Sequence, residues 1–273
     1  MSGKKFILLI SVAFLLTGNI QSQIYWLSNL NVAKSIAGSS GRLIVLDFWA
    51  SWCGPCKAMD TELWKDPEMI KLAKNFVGVR VNVDVEKSIV STYGAKSIPK
   101  VVIITSGGEM VWQKDGYMNN GEYLPVFQAI PEYVGELYNR MKVLDKNKND
   151  FMACNSVGKE YQNLGKKIRN QELKNAFIDR SDTYFNKALK ICTDSLVAQE
   201  IGLNSILNDV YCGRIQKALK SLETTSPEPG NENIAELRHF VLAKCYKGIS
   251  DQENYLKEKQ LVRKKELLVQ LED

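Results

Sequence analysis

The chain has 273 residues, with 45% hydrophobic and 25% charged residues and a formal net charge of +5. That length suits two ordinary domains, and the composition is that of a folded globular protein rather than a disordered or fibrous one. The charge is mild and forms no basic block of the kind that grips a phosphate backbone, so no nucleic-acid partner is expected.

Lys4 and Lys5 precede an apolar run from Phe6 to Leu16, followed by mostly small or polar residues. A bilayer span needs about 20 apolar residues, so residues 1–22 read as a cleaved export signal rather than an anchor. An exported, extracytoplasmic or periplasmic protein, soluble after cleavage, is therefore expected. Disulfides can form and persist in such a compartment.

After the signal, Leu27 to Ala37 has helical spacing, closed by Gly38 to Gly41. Leu43 to Trp49 is a nearly continuous apolar run, as expected of a central strand covered on both faces, and only Asp47 interrupts it. Pro55 suits the first turn of a helix that continues through Leu63. Asp66 and Pro67 then offer a new N-cap and first turn for Glu68 to Asn75. Phe76 to Val85 alternates as a strand, and Lys87 to Tyr93 forms a short helix stopped by Gly94. Val101 to Thr105 and Met110 to Gln113 form a hairpin across Ser106, Gly107 and Gly108. A last helix begins near Asn119 or Asn120. The order α, β, α, β, α, β, β, α predicts a mixed sheet with helices on both faces.

From about Tyr133 onward, strand-like alternation gives way to helical spacing, which predicts at least five helices in antiparallel pairs. Residues 23–130 are expected to form the α/β domain and residues 131–273 an all-helical domain. Tyr211 and Gly213 recur as Tyr246 and Gly248, thirty-five residues on. That interval is close to the tetratricopeptide period, so a tetratricopeptide-like array and an irregular bundle both fit.

The chemistry concentrates in Cys53-Gly-Pro-Cys56. Two thiols at this spacing can close into a disulfide and reopen. Cys53 should sit at a helix N-terminus, where free N–H groups and the helix dipole favour a thiolate. Cys56 lies on the same face, one turn deeper, and is expected to be the less exposed thiol. Gly54 leaves room for a partner's backbone, and Pro55 stiffens the turn without adding charge, which favours a reducing dithiol. Asp47, a carboxylate within an apolar strand, should hold its proton unusually well and could accept the proton of Cys56 through a water. Arg80 on the neighbouring strand is a candidate partner for it. Pro99, before a strand, is a candidate for a cis peptide that presents the backbone of Ile98 to a partner chain.

Asp47-Phe-Trp-Ala-Ser-Trp-Cys-Gly-Pro-Cys-Lys57 resembles the active-site signature of the thioredoxin family. Val79 to Asp84, Ser97 to Val102, Gly107 and Gly116 resemble further family landmarks, and the likeness covers roughly Leu27 to Ile130. It implies a thioredoxin fold, with Cys53 the attacking thiol, Cys56 the resolving thiol, Asp47 the buried proton acceptor and Pro99 the cis proline. The expected substrate-contact set is Trp52, Gly54, Pro55, Ile98 and Pro99.

Together these features predict a protein disulfide oxidoreductase, with reduction the favoured direction. Its expected partners are disulfide-containing protein substrates and an upstream dithiol donor, for which a membrane protein is one candidate. No metal and no organic cofactor are expected. The chain lacks a second Cys-x-x-Cys, and its one histidine, His239, lies in a helical segment. Cys154, Cys192, Cys212 and Cys245 lie mostly on apolar helix faces and read as buried free thiols, the alternative being two disulfides in one of three pairings. The alternative is a partner-binding helical scaffold carrying a subordinate redox module.

Overall fold

The computed structural model describes residues 23–225 and 231–272. The expected export signal at residues 1–22 lies outside these residues. Five strands form one sheet: β1 (Trp26–Leu27), β2 (Leu43–Trp49), β3 (Phe76–Asn82), β4 (Lys100–Ile104) and β5 (Met110–Asp115). Their spatial order is β1-β3-β2-β4-β5. The first three are mutually parallel, and β4 and β5 are antiparallel additions. This is the mixed sheet expected from the sequence. Six of the seven residues of β2 are buried, as its central position requires.

The predicted first helix is shifted. Trp26 and Leu27 pair with Gly78 and Val79 as an edge strand, and α1 spans Leu30–Ser40. Asn29 decides where the helix starts, because its side chain accepts the backbone N–H groups of Asn31 and Val32. Gly78 admits the Trp26 ring, since a Cβ there would fall 2.9 Å from Trp26 Cε3. The helices α2 (Gly54–Glu62) and α3 (Pro67–Leu72) follow β2, with Asp66 capping α3. β3 ends at Asn82 rather than Val85, because the backbone N–H groups of Val85 and Glu86 turn back to the Asn82 carbonyl. A short α4 (Lys87–Thr92) leads to β4, and α5 (Leu124–Gln128) follows β5.

One face of the sheet packs Ile44, Leu46, Val79, Val81 and Ile104 against Ala33 and Ala37 of α1 and against Tyr93. The other packs Val45, Val101 and Ile103 against Met59, Leu63, Trp64 and Phe127. This second core continues without a break into the helical half, through Tyr161, Phe177 and Phe185.

Eight helices follow among the described residues: α6 (Gly135–Lys146), α7 (Phe151–Gly165), α8 (Gln171–Ile191), α9 (Ser195–Tyr211), α10 (Ile215–Thr224), α11 (Glu232–Gly248), α12 (Gln252–Lys259) and α13 (Lys265–Glu272). α8 lies against β5, and Trp112 on β5 donates its indole N–H to Glu172. Glu109, in the β4–β5 turn, accepts hydrogen bonds from the hydroxyls of Tyr161 and Tyr184. The later helices close around a separate apolar core that includes Leu207, Leu222, Phe240 and Val241.

Gly41 marks the junction between the two halves. It ends α1 in the left-handed conformation at φ 67°, and its carbonyl accepts the N–H of Val134. A Cβ at residue 41 would also fall 2.3 Å from the Tyr133 ring. Gly41→Ala is expected to lower unfolding stability by about 1–2 kcal/mol, readable as a reduced urea midpoint. An unchanged midpoint would show that the junction relaxes without cost.

Candidate functional site

The redox pair sits where β2 turns into α2. The backbone N–H of Cys53 bonds back to the carbonyl of Ala50, which holds the turn. Cys53 is the N-cap of α2, and its sulfur accepts the backbone N–H of Cys56 at 3.1 Å. Pro55 lies in the first turn of the helix, where a missing N–H costs nothing. Cys53 and Cys56 are joined as a disulfide, S–S 2.05 Å. A sulfur at this position receives the backbone donors and positive dipole end that favour a thiolate when the bond opens.

The expected difference in exposure between the two thiols is absent: Cys53 is 4% exposed and Cys56 3%. In the bonded state the two cysteines share one apolar cover, made by Ala50, Trp49, Val83 and Ile98. Trp52 beside them is 66% exposed, and its indole N–H donates to Asp84 at 2.9 Å. Gly54 and Pro55 are exposed, and nothing lies within 4 Å of where a Gly54 Cβ would be. The Ile98–Pro99 peptide is cis, and the Pro99 carbonyl accepts the N–H of Gly116. Gly54 and Pro55 follow Cys53 at the helix tip, Trp52 precedes it, and Ile98, next to the cis Pro99, packs against the cysteines.

Asp47 points to the α2 side of the sheet and is 2% exposed. Burial pushes its carboxyl from an ordinary 3.8 up to about 6, and the Arg80 guanidinium opposes the shift without cancelling it. The suggested Arg80 contact is present, with Nε donating to Asp47 Oδ2 at 3.0 Å. Arg80 also donates through Nη2 to Asp60 on α2, and its guanidinium lies over the rings of Trp26 and Trp49. The buried indole N–H of Trp64 makes no full hydrogen bond, but it favours the Asp47 carboxylate slightly. Sequence reasoning missed Asp60, Trp26 and Trp64. Asp60 had a signal, since it follows Cys56 by one helical turn on the same face.

The four distal cysteines form no disulfide. Cys154 and Cys245 are buried, whereas Cys192 and Cys212 are half-buried. Their position at or just past the ends of α8 and α9 explains the partial exposure of the latter two. Among the described residues, no group of three or more His, Cys, Asp or Glu side chains is placed to hold a metal ion. No helix among them is long and apolar enough to cross a membrane.

The Thioredoxin family model matches residues 25–123. A thioredoxin from Chlorobaculum thiosulfatiphilum is 34% identical over 100 residues, which cover 35% of this chain and 83% of that protein. The chain belongs to the thioredoxin family. A thioredoxin from Haemophilus influenzae is 37% identical over 78 residues, covering 27% of this chain and 67% of that protein. The solution structure of a thioredoxin from Thermus thermophilus aligns with a TM-score of 0.36 and 24% identity, over 39% of this chain and 85% of that one. The segment matched by the family model is a thioredoxin module, and the helices from α6 onward follow it. The relationship supports thiol–disulfide oxidoreductase chemistry at Cys53 and Cys56.

Proposed function

We propose that this thioredoxin-family chain reduces disulfides in other proteins after export from the cytoplasm. The observation that carries the reading is the Cys53–Cys56 disulfide at the tip of α2, on the helix that also reaches the Arg80–Asp47 pair. In the reduced state the Cys53 thiolate attacks one sulfur of a substrate disulfide. A mixed disulfide forms and one substrate thiolate leaves. Cys56 then gives its proton to Asp47 and attacks Cys53 Sγ, which closes the observed disulfide and releases the second substrate thiolate. Two electrons pass to the substrate, both released thiolates take protons from water, and Asp47 returns the Cys56 proton to water.

The Gly-Pro pair between the cysteines supports the reductive direction, because it adds no charge that would further stabilise the dithiol against giving up electrons. A second dithiol protein restores the pair, and for an exported chain a membrane protein is one candidate donor. Trp52 and the backbone around Ile98 form the contact surface for the substrate. The basic and apolar run at Lys4 to Leu16 supports export.

Cys56→Ser tests the reading. The reduced variant is expected to accumulate mixed disulfides through Cys53 in the extracytoplasmic fraction, visible as adducts that dissolve on adding dithiothreitol. Absence of adducts in that fraction, with adducts formed by the cytoplasmic fraction instead, would refute export. Absence in both would refute reduction.

A further inference from the structure

We propose that Asp60 is a positioning residue of the redox centre, which shares Arg80 with Asp47 and so keeps Asp47 able to hold a proton. The inference rests on the proposed function, in which Asp47 takes the Cys56 proton.

The geometry is a three-group bridge. Arg80 on β3 gives Nε to Asp47 on β2 and Nη2 to Asp60 on α2. Asp47 is buried, while Arg80 and Asp60 each keep about a quarter to a third of their side chains exposed. The rings of Trp26 and Trp49 lie 5.6 and 5.0 Å from the guanidinium carbon, which restricts where Arg80 can go. The bridge therefore ties the helix carrying both cysteines to the strand carrying the carboxyl.

The charges decide what the bridge does. A lone Asp47–Arg80 pair would be neutral with Asp47 ionised, and the arginine would hold the carboxyl in its charged form. A carboxyl so held would be a poor proton acceptor. With Asp60 on the same guanidinium, one positive charge faces two negative ones. The trio is neutral only when Asp47 carries a proton, so Asp60 offsets the effect of Arg80. The repulsion of Asp60 acts on Asp47 in the direction of proton uptake, together with burial.

Among the described residues, the surrounding elements supply no other charge that would cancel this arrangement. Trp64, after α2, contributes an uncharged N–H, and Tyr123, before α5, is a neutral phenol that itself feels the Asp47 charge. Val101 is the partner of Asp47 on β4 and is apolar. Asp60 is thus the acidic side chain that competes with Asp47 for Arg80.

The test uses the oxidised full-length chain with carbon-13-labelled aspartate carboxyls, titrated by NMR. The Asp47 signal is assigned by its loss in Asp47→Asn. In Asp60→Asn the midpoint of Asp47 is expected to fall by about one pH unit, because Arg80 is then left to Asp47 alone. Asp60→Glu keeps the charge and is expected to restore the original midpoint. A merely structural Asp60 would change stability and leave the titration in place, and an unmoved Asp47 midpoint in Asp60→Asn overturns the inference. The pH profile for resolution of a preformed mixed disulfide should move the same way. If the midpoint moves and that profile does not, Asp60 keeps the assigned part, and the role of Asp47 as proton acceptor for Cys56 falls instead.

Discussion

Cys53→Ser is expected to lower the protein-dependent rate of reduction of a protein disulfide, with dithiothreitol as electron source and its direct reaction subtracted, by at least about 10³-fold. The reason lies in the atom at the tip of α2. Cys53 Sγ receives the backbone N–H of Cys56 and the positive end of a nine-residue helix. These favour a thiolate, but a serine hydroxyl titrates far above any working pH and cannot form a disulfide. Cys56 cannot substitute for it, because it lies inside the first turn of the helix, whereas Cys53 is the N-cap whose sulfur receives a backbone N–H. The measurement separates this variant from Cys56→Ser, which retains the attacking sulfur and should still give one round of covalent capture. A Cys53→Ser protein that kept a tenth of the activity would relocate the nucleophile.

Asp47→Asn is expected to raise stability at alkaline pH while slowing the resolving step. The buried carboxyl is pushed from 3.8 up to about 6, so the folded protein takes up a proton that the unfolded chain has already released. The stabilisation from that proton is complete below 3.8 and is lost as the pH rises through about 6. At about pH 8 the folded protein holds Asp47 ionised at a cost of about 3 kcal/mol relative to low pH. An asparagine carries no such charge. The variant should therefore lose this decline and unfold at higher urea near pH 8, less whatever the weakened Arg80 contact removes. Resolution of a mixed disulfide should slow by on the order of 10- to 100-fold, since no carboxylate takes the Cys56 proton. Stability profiles of wild type and variant that run parallel from about pH 4 to pH 8 would show that Asp47 does not titrate in this window.

Both expectations turn on residues that the sequence already marked, and the reason is local. Cys53 and Cys56 are three residues apart, so a helix start between them brings their sulfurs together whatever surrounds them. Asp47 stood out because one charged residue broke an apolar strand whose neighbours could be read from their own alternation. Pro99 stood out because it follows a polar turn and precedes a strand. The strand Trp26–Leu27 was hidden in a pattern that equally suits a helix. Its pairing depends on Gly78, some fifty residues away, leaving space for an indole.

By its order of residues alone, the chain determined the redox pair, the strand-to-helix turn that presents it and the α/β arrangement around it. All three follow from short-range spacing and from which residues prefer to leave water. Packing decided which distant groups meet. Asp60 and Asp47 came to share one guanidinium because α2 settles over β2 and β3. Glu109 came to bind Tyr161 and Tyr184 because the helical half settles against the β4–β5 hairpin. Such encounters join residues tens of positions apart, and the periodicity of either segment carries no record of which partner the other will offer.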